Sequence, residues 1–239
     1  MKAIAVIPAR LASTRLPRKM LREIAGIPLI GHVYRAVRPS PLLEDVIVAT
    51  DSDEILEVCR NNGWNARMTS PSHRSGTERV HEISNSVHAD VYVNVQGDEP
   101  MTGPEHIASL LELMQYPAVQ VGTLATPASP ADIANIHVNK VVVDLVGRAL
   151  YFSHATIPFD RDGKKPRYLK HLGIYGYRKP ALDRFIGLPE SSLEGIERLE
   201  QLRFLENGIP IHVAETPYDT IGVDTEEDLR RFEQRLRIR

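Results

Sequence analysis

The chain has 239 residues, 42% hydrophobic and 25% charged, proportions of a folded globular protein with room for one large α/β domain. Its single cysteine, Cys59, excludes an internal disulfide and fits a reducing compartment. The Met1–Pro8 run is too short for a signal peptide, and no stretch approaches the ~20 apolar residues of a membrane span, so a cytoplasmic protein without membrane insertion is expected. Net charge is −2, but residues 1–40 hold eight Lys/Arg against one acid, Glu23. That asymmetry points to an anionic ligand near the N-terminal segment. A pI near 6.5, without basic residues interleaved with aromatics, argues against nucleic acid.

Apolar runs alternate with amphipathic stretches from the first residue. AIAVI (3–7) reads as a strand and Pro28–Val37 as a helix. DVIVAT (45–50) is a second strand, and 53–62 a helix with Ile55, Leu56, Val58 and Cys59 on one face, closing at Gly63. DVYVNV (90–95) is a third strand, and Thr102 with Glu105 predicts a capping box for a helix to about Met114. VQVGTL (119–124) is another strand. This β-α-β-α rhythm predicts a mixed, mostly parallel central sheet with helices on both faces.

The middle of the chain changes character. KVVVDLVGRALYF (140–152) holds two β-rich runs joined at Val146-Gly147, a hairpin signal, and HLGIYGYR (171–178) is a further strand. Helices are predicted at about 180–187 and 193–206, then a strand at 210–214 and a helix opened by Thr225 and Asp228. With no repeat or low-complexity linker, the reading is a single domain over 1–239 with a smaller β-rich insertion at about 138–180.

In open α/β sheets ligands bind beyond the carboxyl ends of strands, and four segments there carry chemistry. The loop IPARLASTRLPRKML (7–21) crowds Arg10, Arg15, Arg18 and Lys19 after the first strand. It lacks a Walker or dinucleotide fingerprint, yet Ala12 and Ser13 let backbone N–H groups near a phosphate while the bases supply charge. Taken alone it also fits a solvated basic loop. QGDEP (96–100) sets Asp98 where a carboxylate can share a divalent ion with substrate phosphates, or forms an ordinary turn. IGVDT (221–225) offers Asp224 as a second ligand, or as the cap of the last helix. SHRSGTER (72–79) suits a base or ribose, or simply caps a helix. His171 and Tyr175, four apart on a strand, face one side. Glu200 and Gln201 lie on a helix otherwise lined by Ile196, Leu199, Leu202 and Leu205. The nine histidines lack zinc-ligand spacing.

Together IPARLASTRLPRK, VATDSDEI, MTSPSHRSGTERV, VNVQGDEPM, ALYFSHATIPFDRD, KHLGIYGYR, LEGIERLEQLRFLENG and IGVDTEEDL, in order across almost the whole chain, closely resemble the 3-deoxy-manno-octulosonate (KDO) cytidylyltransferases. The resemblance implies a Rossmann-like nucleotide-diphospho-sugar transferase fold, Mg²⁺ as cofactor, and transfer of CMP from CTP to KDO with release of pyrophosphate, for lipopolysaccharide biosynthesis. It also implies a cytoplasmic homodimer, with the insertion serving sugar binding and dimerisation. By position, Arg10, Ser13, Arg15, Lys19, Ser75, Gly76 and Arg79 match the nucleotide site. Asp98 and Asp224 match the metal carboxylates, and with Lys19 the catalytic set. Gln96, Arg161, His171, Tyr175, Glu200 and Gln201 match the sugar-acid contacts.

Three segments depart from the family pattern: Arg18 and Met20 flank Lys19 in place of Gly and Pro, Ile136-His137 replaces Pro-Asn, and His154 replaces an arginine. Two other readings compete: a cytidylyltransferase for another acidic sugar (an amino-substituted KDO or a sialic acid), and a metal-dependent glycosyltransferase. The latter class presents Asp-x-Asp after a strand, and the nearest match, Asp51-Ser52-Asp53, opens a helix. A catalytically dead nucleotide-binding module is disfavoured by the retained Lys19, Asp98 and Asp224.

Overall fold

The computed structural model describes residues 1–13 and 16–238, with side chains through Leu236. The chain folds as two units, Met1–Ile107 with Thr220–Arg239, and Ala108–Asp219.

The first unit begins with β1 (Ala3–Ala9), a 3-10 turn (Lys19–Leu21), and a tight hairpin of β2 (Glu23–Ile24) and β3 (Ile27–Pro28). Ala25 and Gly26 turn that hairpin with φ of 49° and 74°, the paired left-handed geometry of a two-residue loop. There follow α1 (Leu29–Val37), β4 (Asp45–Thr50), α2 (Asp53–Asn61), β5 (Ala66–Met68), α3 (Gly76–Ser84) and β6 (Val91–Asn94), and α4 (Pro104–Leu113) carries the chain from the first unit into the second. The strands lie in the order β6-β1-β4-β5, all parallel. Six of the seven β1 residues are buried, as parallel strands covered on both faces require. Ser52 and Ser75 cap α2 and α3 by accepting from the N–H groups of Ile55 and Glu78.

The second unit holds β7 (Val121–Pro127), α5 (Pro130–Ile133), β8 (Lys140–Val143), β9 (Ala149–Ser153), β10 (Leu169–Tyr177), α6 (Lys179–Ile186), α7 (Ser192–Glu197), α8 (Leu202–Glu206) and β11 (His212–Glu215). Here β7 lies between β10, antiparallel, and β11, parallel, while β8 pairs antiparallel with β9 and β10. The β8–β9 hairpin turns at Gly147, φ 78°. An aromatic stack, Tyr175–Tyr177–Phe204, runs through this core with centroids 5.8 and 5.9 Å apart. The chain returns to the first unit through α9 (Glu226–Ile238).

Two expectations need correction. The helix predicted over 193–206 is two, α7 and α8, broken where Arg198 adopts the left-handed region at φ 57°. The cap of α4 is shifted by one residue: the Gly103 N–H donates to His106 Nδ1 at 3.1 Å, and the Thr102 hydroxyl reaches Glu99 instead. Histidine takes the role that Glu105 was expected to fill. No helix among the described residues is long and apolar enough to cross a membrane.

Candidate active site

The first unit has a cleft of about 250 Å³ at the carboxyl ends of its strands, lined by the loop after β1, the start of α3 and the turn after β6. Arg10, Ser13, Lys19, Ser75, Gly76, Arg79, Gln96 and Asp98, distant in sequence, all line it. Arg15 lies outside the described residues.

Lys19 is the centre of the arrangement. Its side chain is only 9% exposed, and Nζ donates to Asp98 Oδ2 at 2.5 Å and to Asp224 Oδ1 at 2.9 Å. Burial alone would lower the Lys19 pKa, but Asp98 and then Asp224 outweigh it and hold the ammonium above its ordinary value. Asp224 is thus not the helix cap. That part belongs to Thr225, whose hydroxyl accepts from the Asp228 N–H while the Asp228 carboxylate accepts from the Thr225 N–H. The Val223 N–H also donates to the Asp98 carbonyl at 2.8 Å, which fastens the two carboxylate-bearing segments together.

Glycine explains how Asp98 gets there. A Cβ on Gly97 would lie 2.8 Å from the Pro8 carbonyl oxygen and 3.0 Å from the Met20 sulfur, so only glycine lets this turn rest against the end of β1. Arg18 has the converse problem. It opens the Lys19 turn with φ 55° and ψ 34°, the left-handed region where a residue with a side chain is strained and glycine is not. Its guanidinium pairs with Glu54 on α2.

Arg79 is a brace. Buried, it donates to Thr69 Oγ1 at 2.7 Å, the Ser70 carbonyl at 3.2 Å and Asp51 Oδ2 at 2.6 Å. Asp51 is therefore committed, and Ser52 caps α2, so the Asp-x-Asp match is structural. His73, 2.5 Å from Glu82 through Nε2, steadies the opposite lip.

The remaining predicted residues lie in the second unit. Thr123 Oγ1 donates to the Ile174 carbonyl at 2.7 Å, so it accepts from His171 Nε2–H at 3.0 Å. Burial pushes the His171 pKa down to about 3, and the ring is neutral. Its centroid is 5.4 Å from that of Tyr175, and the bulge between Leu172 and Tyr175 keeps both on one side. Gln201 is buried, its Nε2 without a hydrogen-bond partner among the described residues. Glu200 is half-buried, and Arg161 is exposed in the loop after β9.

Sequence reasoning missed two residues here. Lys140, fully buried, donates to the carbonyls of Asn135, Val138 and His154 at 2.8, 2.6 and 2.6 Å. Glu197 accepts from Ser153 Oγ at 2.6 Å and the His154 N–H at 3.1 Å. Both meet His154, and Lys140 also brackets Ile136-His137 through the Asn135 and Val138 carbonyls. A lysine opening an apolar strand and a glutamate in an amphipathic helix carry no local signal of this.

The family model for cytidylyltransferases matches residues 4–215. A 3-deoxy-manno-octulosonate cytidylyltransferase of Koribacter versatilis is 66% identical, covering 100% of this chain and 91% of its own. One of Acidobacterium capsulatum is 57% identical over 99% of this chain and 97% of its own. The solved structure of a CMP:2-keto-3-deoxy-manno-octonic acid synthetase complexed with CTP superposes with a TM-score of 0.95 at 43% identity, covering 100% of this chain and 99% of that one. The chain belongs to the cytidylyltransferase family, among its 3-deoxy-manno-octulosonate cytidylyltransferases.

Proposed function

We propose that this protein transfers CMP from CTP to the anomeric hydroxyl of KDO, releasing pyrophosphate, in the cytoplasmic supply of activated sugar for lipopolysaccharide. The observation that carries this reading is the Lys19 ammonium held between Asp98 and Asp224 in a cleft that also gathers Arg10, Ser13, Ser75 and Gly76. Arg10, Ser13 and Lys19 take the triphosphate, and Ser75, Gly76 and Arg79 take the cytidine end.

Two carboxylates converging on one point of positive charge suit Mg²⁺, which binds through one or two carboxylates plus substrate phosphates; Asp98 and Asp224 would hold it. Bound there, it supplies charge neutralisation on the phosphates and acidifies the attacking hydroxyl. The sugar hydroxyl gives its proton up to solvent as its oxygen attacks the α-phosphorus in line, the bond to the bridging oxygen breaks, and pyrophosphate leaves with that electron pair. Lys19 exchanges a carboxylate for phosphate oxygens as charge builds there, and the protein contributes alignment and electrostatics. No side chain of the cleft is assigned as general base.

Gln96 in the cleft and Arg161, His171, Tyr175, Glu200 and Gln201 of the second unit are assigned to the sugar acid. The adjacent His171 and Tyr175 rings and the unpartnered Gln201 Nε2 support this. The protein is assigned as a homodimer. Leu145, Val146 and Leu150 of the β8–β9 hairpin, with Ile136, Phe159 and Ile196, are 61–107% exposed, apolar side chains that a second copy of the chain would cover. Sedimentation at micromolar concentration tests the dimer.

The deciding experiment measures pyrophosphate release with Mg²⁺, scanning CTP, UTP and ATP against KDO, amino-substituted KDO and sialic acid. CTP with KDO is the expected pair. Turnover only with another sugar acid would move the assignment to that acceptor, and absence of CTP-dependent release would end it.

A further inference from the structure

The first unit has a second cavity, of about 500 Å³, sharing no lining residue with the Lys19 cleft and formed by α1, α9 and the turn at Pro100–Met101. Such a volume encloses a small organic ligand. Its floor is apolar, made by Pro100, Met101, Phe232 and Leu236, and the charged side chains lining it are basic, Arg35 and Arg235, with no acid beside them.

The floor is ordered. Phe232 belongs to a buried cluster with Leu16, Ile24, Leu29, Val223 and Leu229, and Met101 and Leu236 pack against it. His32, the remaining polar lining residue, is committed: Nε2 meets the Ile24 carbonyl at 2.8 Å and its ring stands edge-on to Phe232 at 5.2 Å. Burial lowers its pKa, so it adds little charge.

The two guanidiniums therefore set the potential. Arg35 lies over the Trp64 ring at 5.9 Å, and Arg235 Nη1 sits 3.1 Å from the Met101 sulfur, a weak acceptor that leaves the charge uncompensated. Neither pairs with a carboxylate among the described residues. The acids of α9 have partners of their own: Glu226 meets Arg22, Glu227 meets Arg231, Asp228 closes the helix cap with Thr225, and Glu233 is also engaged.

We propose that this groove binds a small organic anion with an apolar body, an aryl or acyl group ending in a sulfonate, carboxylate or phosphate. The body lies on Met101, Phe232 and Leu236, and Arg35 and Arg235 hold the head group. The site is read by direct binding, so it stands or falls independently of the transferase assignment.

The test uses the aryl sulfonate dye anilinonaphthalene sulfonate, followed by fluorescence, with decanoate and decanol as competitors. One saturable site is expected, displaced at least about tenfold more readily by decanoate than by decanol. R35E/R235E should weaken the dye at least about tenfold, and A36W, which fills the groove without touching its charge, should block it. Circular dichroism melting establishes that each variant is folded. Unchanged binding in both variants, or equal displacement by the two competitors, overturns the proposal. Loss of self-association in R35E/R235E also overturns it, by giving the groove to a second copy of the chain.

Discussion

Each unit buries a lysine, and the two lysines solve the problem of a charge out of water in opposite ways. Lys19 meets two carboxylates, whose side chains are 28% and 37% exposed, and its ammonium is held above the ordinary value. Lys140 meets three backbone carbonyls, and burial pushes its pKa down. Ion partners that water can reach are exchangeable for another anion. Carbonyls fixed in the chain are not, so Lys140 is a clasp that closes the Asn135–Val138 loop onto the end of β9.

The largest effect should come from breaking the exchangeable side. D98N removes one carboxylate of the pair, and pyrophosphate release should fall about a thousandfold, equivalent to about 4 kcal/mol of barrier. Near-normal turnover in folded D98N would sink the assignment of Asp98.

The clasp predicts a stability effect instead. K140M leaves three carbonyls without their donor and should cost about 3 kcal/mol in urea unfolding. K19M should cost less, because water can solvate Asp98 and Asp224. If K140M costs no more than K19M, the distinction between clasp and exchangeable centre fails.

The difference between the two centres also decided what the sequence disclosed. Arg10, Lys19 and Asp98 follow apolar runs that end at the rim of a parallel sheet, where ligand groups collect, so the residue type and its place both signal. Lys140 and Glu197 work by converging from β8 and α7 on the end of β9, and neither has a local pattern that predicts the meeting. Arg198 breaks a helix whose apolar spacing continues unbroken through it, because side-chain periodicity does not report a backbone turn. The cap of α4 was misplaced because His106 can accept from an N–H as glutamate does, which composition rules for caps do not weigh.

The next effect is graded with pH. The His171 pKa is about 3 in the folded chain against an ordinary 6.5. Between these values the unfolded chain binds a proton that the folded chain does not. Stability therefore falls as pH drops below 6.5, by up to about 1.4 kcal/mol per unit. H171N should lose this part of the acid dependence. The same acid dependence in both proteins would mean that His171 already titrates normally when folded.

The smallest effect lies at Arg18. A non-glycine residue at φ 55° carries strain of about 1 kcal/mol, and the exposed pair with Glu54 returns between 0 and about 1 kcal/mol. R18G removes both terms and E54A only the second. E54A should lower stability by well under 1 kcal/mol, and R18G should be neutral to slightly stabilising. R18G should also leave the Lys19 turn intact, since glycine adopts this conformation without cost. If R18G instead destabilises by more than E54A, the arginine contributes something beyond that pair, and strain alone does not describe the position. The turn that aims Lys19 would then depend on a side chain lying outside the carboxylate centre.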